Sequence, residues 1–197
     1  SRQRGSLELE IKENELSETR IIGITIETRP DCITKRGIRM LRELNVTRVQ
    51  LGVQHTDDLI LQKIKRNCYL EDTKRATHLL KQNGYKVDWH LMPDLPGSSY
   101  EKDKSMIDDL FKIESQEEVG SNYIRYKLKN PDLQSDQLKI YPCTTVDWTE
   151  IKEWYDEGEY KPYSEDEEKL IELIIHIKKL VFPWIRLNRI IRDIPNI

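Results

Sequence analysis

The segment "IIGITIETRPDCITKRGIRMLRELNVTRVQLGV" (residues 21–53) decides the fold class. It begins with a β-branched run at 21–27 that predicts a strand, and it ends with a second such run at 47–53. The residues between them, 34–45, have helical spacing, with Thr34 placed to cap the first turn. A strand, a helix and another strand in this order predict a right-handed crossover between two parallel strands.

The same alternation continues along the rest of the chain. Further strands are predicted at 86–92, 137–141 and 184–191, and further helices at 57–66, 72–83, 99–112, 149–157 and 165–181. The polar segment 113–137 interrupts this order and is predicted to be a surface insertion. Two architectures fit: a (β/α) barrel, and an open doubly wound sheet with helices on both faces.

Composition narrows the classes of function. The 197 residues are 37% hydrophobic, which is enough for a core, and 32 basic against 35 acidic residues leave a net charge of −3. No global positive charge therefore attracts nucleic acid or an anionic membrane. No apolar run approaches the roughly 20 residues of a membrane-spanning helix, and the start "SRQRGSLELE" lacks the apolar core of a signal peptide. We expect a cytoplasmic, intracellular protein with no membrane partner.

Several familiar sites are missing from the sequence. The cysteines Cys32, Cys68 and Cys143 are odd in number and far apart, which favours reduced thiols over a disulfide framework. The four histidines show no metal-ligand spacing. Neither the dinucleotide pattern G-x-G-x-x-G after a strand nor the phosphate loop G-x-x-x-x-G-K-[ST] occurs, so nicotinamide chemistry and nucleotide hydrolysis are disfavoured.

Polar motifs follow each predicted strand, where both candidate folds place their sites. They read "ETRPD" (27–31), "GVQHTDD" (52–58), "HLMPDLPG" (90–97), "YPCTT" (141–145) and "RDIP" (192–195). Each alone is ordinary turn and capping chemistry, but all five would converge on one face. The pattern predicts a polar cluster at the mouth of an apolar barrel, suited to a small polar cofactor, formed by Glu27, Gln54, His90, Asp94 and Arg192.

Six blocks in order carry a family resemblance: "GITIETRPD", "RVQLGVQ", "HLMPDLPG", "LKIYP", "GEYKPYS" and "PWIRLNRIIRDIP". In these blocks, from about residue 21 to 197, the chain resembles the S-adenosylmethionine (SAM) radical domain of the Elongator catalytic subunit family, the enzymes that modify the wobble uridine of tRNA. A broader likeness to oxygen-independent coproporphyrinogen oxidases covers only "GVQ" and "LPG", and it supports the superfamily rather than the substrate.

The resemblance implies both a fold and a chemistry. The fold is a partial or complete (β/α)6 barrel of the TIM-like, radical-SAM type. The ligands are SAM and a [4Fe-4S] cluster that cleaves it to a 5′-deoxyadenosyl radical, with acetyl-coenzyme A as the donor of a carboxymethyl group to carbon 5 of uridine 34. The implied partners are the tRNA anticodon stem-loop and Elongator-like subunits.

The matched motifs also imply roles for individual residues. Glu27 would accept a hydrogen bond from the methionyl ammonium of SAM, and Arg66 would contact its carboxylate. Gln54 and His90 would approach the ribose. The remaining residues of the mouth, nearer the substrate, would be Asp94 and the catalytic candidates Lys139 and Tyr141.

Two features of the family are not found in this sequence. The family holds its cluster with a C-x9-C-x2-C loop ahead of the matched segment, and it carries a C-terminal acetyltransferase domain. We therefore expect residues 1–197 to be a single domain, the C-terminal part of a radical SAM barrel, inactive alone, with its cluster cysteines upstream of Ser1. The alternatives are a non-catalytic relative without a cluster that binds tRNA or Elongator-like partners, and a radical enzyme of another substrate class.

Three local features allow more than one interpretation. The insertion 113–137 contains residues that would suit RNA stacking and phosphate contact, or a solvated loop: Tyr123, Arg125, Tyr126, Lys127 and Lys129. The C-terminal stretch around Trp184 is either a phosphate-facing strip or the outer face of an edge strand, with Lys178, Lys179, Arg186, Arg189 and Arg192. Trp148 stands where the family usually has glycine, which predicts an altered turn.

Overall fold

The computed structural model describes residues 5–120 and 123–191. Its helices are α1 (Leu7–Leu16), α2 (Lys35–Glu43), α3 (Asp58–Lys63), α4 (Leu70–Gln82), α5 (Tyr100–Leu110), α6 (Glu150–Asp156) and α7 (Glu167–Leu180). Its strands are β1 (Thr25–Thr28), β2 (Arg48–Gln54), β3 (Lys86–Leu91), β4 (Ile113–Glu118), β5 (Ile124–Leu128), β6 (Gln137–Ile140) and β7 (Arg186–Ile190). Short 3-10 turns lie at Pro30–Cys32 and Tyr163–Glu165.

Five of these strands form one parallel sheet. Its order is β1-β2-β3-β6-β7, so neighbours follow one another along the chain and the order never reverses. A doubly wound sheet requires such a reversal, whereas right-handed crossovers without one keep every helix on the same side and wind the sheet toward a barrel. The order therefore selects the partial TIM-like barrel, and this fold prediction is confirmed.

The two faces of the sheet differ in chemistry because side chains alternate along a strand. The side facing the helices is apolar and buried, and it includes Val49, Leu51, Val87, Trp89 and Leu138. The opposite, inward side is polar, and it includes Gln50, Asp88, His90, Lys139 and Asn188. Polar side chains occupy the alternate, inward-facing positions of these strands. The prediction of an apolar barrel is therefore wrong for this sheet.

The polar segment 113–137 contains an antiparallel hairpin of β4 and β5. Every residue of β4 is exposed, and the hairpin carries its own ion pairs, Lys127–Glu114 at 2.8 Å and Arg125–Glu117 at 3.7 Å. Two of the cations that would suit RNA contact, Arg125 and Lys127, are therefore partly neutralised. The sequence did not predict the two strands because neither buries an apolar face.

The start of the chain also departs from the sequence-based expectation. Helix α1 buries no residue and therefore has no apolar stripe that a sequence pattern could detect. The first strand begins at Thr25 rather than at 21, because Ile21 and Ile22 are exposed at 68% and 92%. They border a cavity of about 930 Å³ beside α1, at the end of the sheet where strands begin. No helix within the described residues is long and apolar enough to cross a membrane.

Candidate functional site

The carboxyl ends of the parallel strands concentrate unusual backbone geometry. Among the described residues, seven other than glycine have a positive φ angle. Six of them lie in loops at or beyond these strand ends: Gln54, Lys65, Asn67, Asp94, Trp148 and Ile191. Side chains disfavour this conformation, and such strain clusters at binding sites and catalytic sites. The backbone geometry therefore indicates a site at the same end of the sheet as the sequence motifs.

The loop after β1 is stiffened by its own residues. The Arg29 guanidinium donates to both carboxylate oxygens of Asp31, at 3.0 and 2.5 Å. Burial raises the pKa of Asp31, but the hydrogen bonds and positive charge of Arg29, with further hydrogen bonds from the backbone and Cys68, together lower the pKa overall. Pro30 is buried and opens a 3-10 turn, and Thr34 caps α2 through the Gly37 amide at 3.0 Å. Asp31 therefore pairs with Arg29 and does not cap the following helix.

Glu27 and Lys139 are joined through a residue that the sequence analysis did not select. Gln50 of β2 is 4% exposed; its amide nitrogen donates to Glu27 Oε2 at 3.0 Å, and its amide oxygen accepts from Lys139 Nζ. Within the described residues, no cation lies in ion-pair contact with Glu27. The Gln50 amide thus holds the inward-facing Glu27 carboxylate in place without neutralising its charge. The signal for Gln50 was the period of two in "RVQLGVQ".

Arg66 lies over Gly52 of the same strand. Arg66 Nη2 donates to the Gly52 carbonyl at 2.7 Å, and a Cβ at position 52 would lie only 2.6 Å from that nitrogen. The Arg66 Nε is buried and has no hydrogen-bond partner, and burial lowers the pKa of this guanidinium. No carboxylate of the described chain forms an ion pair with Arg66. The lack of a side chain at Gly52 therefore allows the half-buried Arg66 guanidinium, which has no ion-pair partner among the described residues, to pack on the β2 backbone.

The other predicted residues divide into two groups. His90 of β3 packs edge-on against Tyr141, with ring centroids 4.6 Å apart, and its strand neighbour is Lys139. Gln54 ends β2 with φ at +69°, and its carbonyl accepts from the Met92 amide at 2.7 Å. These residues lie at the same end of the sheet as Glu27 and Arg66. Arg192 lies outside the described residues.

Asp94 faces a different part of the molecule. Its carboxylate accepts from the backbone amides of Tyr163 at 3.0 Å and Ser164 at 2.9 Å, and it is 2% exposed. Burial raises the pKa of Asp94, and the bonds to Ser164 oppose this rise. The carboxylate thus braces the loop "MPDLPG" against "KPYS". Its predicted contact with a cofactor stays a prediction.

A second buried acid, Asp103, completes this brace. It is fully buried and accepts from Ser98 Oγ at 2.6 Å, Tyr163 OH at 2.6 Å, the Asp94 amide at 2.6 Å and His55 Nε2 at 3.0 Å. His55 Nδ1 accepts from the Asp57 amide, so its proton lies on Nε2. The network ties the loop after β2, the loop after β3 and the turn at Tyr163–Glu165 together. The sequence gives no signal for Asp103, because an acid in a first helical turn is ordinary.

The C-terminal basic stretch lies apart from these residues, whereas the cysteines lie beside them: Cys32 Sγ is 3.9 Å from Asp31 Oδ1, and the Cys143 amide donates to the Pro93 carbonyl at 2.8 Å. Arg186 and Arg189 are exposed on β7, and Trp184 stacks on Phe182 with centroids 4.7 Å apart at the opposite end of the sheet. Cys32 is exposed, while Cys68 and Cys143 are buried, and burial raises the pKa of Cys143 to about 11. Within the described residues, no three side chains of His, Cys, Asp or Glu are grouped to hold a metal.

Within the described residues, neither the Glu27 carboxylate nor the Arg66 guanidinium has a protein counterion at this end of the sheet. Glu27 is opposite Gln50, and Gly52, which Arg66 covers, is two residues further along β2, about 7 Å away. A ligand with both an ammonium and a carboxylate, such as an α-amino acid group, would match both charges. Charge-assisted hydrogen bonds of this kind are the strong ones, and Arg suits the carboxylate because of its forked geometry.

Comparison with known families gives two matches along the chain. The model of the radical SAM superfamily matches residues 2–110, and that of the radical SAM C-terminal domain matches residues 135–196. The hairpin of β4 and β5 lies between the two matched ranges. Glu27, Arg66 and His90 all lie within the first match.

Curated relatives and solved structures agree with these matches. A tRNA uridine(34) acetyltransferase of Methanocaldococcus jannaschii is 43% identical over 190 residues, which are 96% of this chain and 32% of the relative. Human Elongator complex protein 3 is 35% identical over 185 residues, 94% of this chain and 30% of the relative. The structure of Methanocaldococcus infernus Elp3 with an N-terminal deletion is 42% identical with a TM-score of 0.84, covering 98% of this chain and 41% of that one. The chain thus spans about a third of the length of these curated relatives.

Proposed function

The chain belongs to the radical SAM superfamily, and we propose that the polypeptide carrying it is a tRNA uridine(34) acetyltransferase. In this proposal it acts in carboxymethylation of carbon 5 of the wobble uridine, with acetyl-coenzyme A as donor. Similarity to relatives of that name over nearly the whole chain supports the substrate. The activity, tRNA binding and contact with Elongator-like subunits are proposed for the whole polypeptide, and its location is proposed to be the cytoplasm.

One observation carries the proposal that this face binds SAM. Among residues 5–120 and 123–191, the Glu27 carboxylate has no cation in ion-pair contact and the Arg66 guanidinium has no carboxylate, and both groups contact β2, through Gln50 and Gly52. The methionyl group of SAM has the complementary ammonium and carboxylate. We assign Glu27 to the ammonium and Arg66 to the carboxylate, with Gln54 and His90 toward the ribose. Asp94 contributes by holding the loop in position through Tyr163 and Ser164.

The bound cofactor would supply a 5′-deoxyadenosyl radical once a reduced iron–sulfur cluster cleaves it. The residues of this chain bind and orient. Lys139 donates one of its three N–H groups to Gln50, and its ammonium is therefore held toward the inward face beside His90. Tyr141 packs on His90, so the two candidates for substrate contact, Lys139 and Tyr141, share one edge of the mouth.

The cluster requires ligands that the described residues do not group together. Burial raises the pKa of both Cys68 and Cys143, which disfavours their thiolates. The described residues therefore do not fit the cluster, and we propose that its ligands lie outside residues 5–191.

The experiment that tests the function uses the full native polypeptide, purified and reconstituted with iron and sulfide without oxygen. It is incubated with SAM, acetyl-coenzyme A, reductant and unmodified tRNA, and the nucleosides are analysed by mass spectrometry. Carboxymethylated uridine at the wobble position is the expected product. A cluster-loaded protein that cleaves SAM but leaves tRNA unmodified would support a radical enzyme of another class, and a protein that takes up no iron would support the non-catalytic relative.

A calorimetric titration with SAM tests the binding residues separately from the chemistry. Glu27→Gln is expected to weaken binding by about 1.5 to 3 kcal/mol, the value of one charge-assisted hydrogen bond. Arg66→Lys keeps the charge but loses the fork, and we expect a similar loss. The matched controls are Glu118→Gln and Arg36→Lys, which change exposed residues of β4 and α2. Unchanged affinity in both mouth variants would remove the proposed cofactor contacts.

A further inference from the structure

Trp148 is the most exposed aromatic side chain of the described residues, at 102%. It stands in the loop between β6 and α6 with φ at +68°, a conformation in which a bulky side chain is strained. Exposure gives up the hydrophobic gain of burying an indole, and the backbone adds a conformational cost. Neither cost is offset by a contact within the described chain, so folding alone does not account for tryptophan here.

The loop is held in place despite this exposure. At its start, the Cys143 amide donates to the Pro93 carbonyl at 2.8 Å, and Cys143 is buried. At its end, Thr149 Oγ1 donates to the Val146 carbonyl at 2.6 Å and also caps α6. Trp148 therefore lies at the apex of a closed turn, and its indole is presented from a fixed base.

The turn lies beside the proposed cofactor site. Glu150, two residues after Trp148, pairs with Lys65 at 2.5 Å, and Lys65 is the neighbour of Arg66. The loop also begins at the carboxyl end of β6, directly after Tyr141. An indole held at this position borders the entrance through which a large substrate would approach Lys139 and Tyr141.

Charge around the indole indicates which part of a nucleic acid it would contact. Asp147 is its direct neighbour, Glu150 is already paired with Lys65, and Lys152 is paired with Asp156. This surface offers no free cation for a phosphate within the described residues. An aromatic face can stack on any nucleobase without a counterion, and such stacks are the common contact with unpaired bases.

We propose that Trp148 is a stacking platform for an unpaired base of the RNA substrate at the rim of the site. The proposal rests on the proposed function, because it takes the substrate to be an RNA loop. It assigns a binding role to Trp148, at a positive φ where a glycine would satisfy the backbone and leave no aromatic surface for stacking.

The experiment compares the full native polypeptide with Trp148→Gly and Trp148→Phe. The probe is an RNA stem-loop with a tRNA anticodon sequence, and affinity is measured by fluorescence anisotropy at about 50 and about 200 mM salt. We expect Trp148→Gly to lose about tenfold in affinity, by the same factor at both salt concentrations because no phosphate contact is removed, and Trp148→Phe to recover most of it. The melting temperature of Trp148→Gly should equal or exceed that of the native protein, since glycine relieves the strained φ.

Control variants and ligands make each outcome decisive. Trp184→Ala removes an exposed tryptophan from the opposite end of the sheet and should leave affinity unchanged. If the native protein binds the RNA and Trp148→Gly binds it with equal affinity, the inference is overturned but the proposed function is not. A marked fall in the melting temperature of Trp148→Gly would also overturn only the inference, because it would mean that another part of the polypeptide covers Trp148. A loss of SAM affinity without a loss of RNA affinity would assign the indole to adenine and overturn the RNA assignment. A native protein that does not prefer the anticodon stem-loop to an unrelated hairpin would overturn the proposed function together with the inference.

Discussion

Replacing Asp103 by asparagine tests whether the buried brace holds the loops of the site. The carboxylate accepts four hydrogen bonds, two on each oxygen: Ser98 and His55 on one, Asp94 and Tyr163 on the other. An amide nitrogen in either position would face one N–H from which it cannot accept, that of His55 or of the Asp94 amide, while the hydroxyl of Ser98 or Tyr163 can turn to accept from it. The substitution therefore leaves one buried N–H unsatisfied and removes the charge from the other bonds, and we expect a loss of roughly 2 to 4 kcal/mol of unfolding free energy.

Urea unfolding followed by tryptophan fluorescence measures this loss, because Trp89 is buried in the core. A loss of this size is a large part of the roughly 5 to 15 kcal/mol that stabilises a typical domain. The matched control is Asp109→Asn, which breaks an exposed ion pair with Lys129 and should cost less than about 1 kcal/mol. An unfolding midpoint for Asp103→Asn equal to that of Asp109→Asn would refute the reasoning.

Three further predictions follow from single contacts. Gly52→Ala should displace the Arg66 guanidinium, since the new Cβ would lie 2.6 Å from its Nη2. The affinity for SAM, measured by calorimetry, should then fall about tenfold. The urea midpoint should change little, because the displaced group is the end of a flexible side chain. Burial raises the pKa of Asp88, so its charged form costs stability as pH rises above the ordinary value; Asp88→Asn should be more stable than the native protein at about pH 7 and lose that advantage at about pH 4, and equal pH profiles would contradict this. Iodoacetamide at about pH 8 should label Cys32 in the folded protein long before Cys143, whose pKa of about 11 leaves about one thiolate in a thousand; mass spectrometry that finds equal labelling would show that Cys143 is accessible.

The order of elements followed from local patterns in the sequence. Period-two runs marked the strands, Thr34 marked a helix start, and the loop motifs marked the end of the sheet where the site lies. These signals are local, because propensity and capping act within a few residues. Local signals failed where burial was absent, as in α1 and in the hairpin of β4 and β5.

What the sequence determined by itself was the chemistry available at each strand end, including Glu27, Arg66 and His90. The tertiary structure decided which of these groups meet. Only the unreversed strand order distinguishes a partial barrel from a doubly wound sheet, and only the register of β1 on β2 brings Gln50 to Glu27. Only packing of distant loops turns Asp94 toward Tyr163 and lays Arg66 over Gly52. Such pairings join residues far apart in the chain, so no local pattern encodes them; they follow from the strand register and from the need to satisfy every buried polar group.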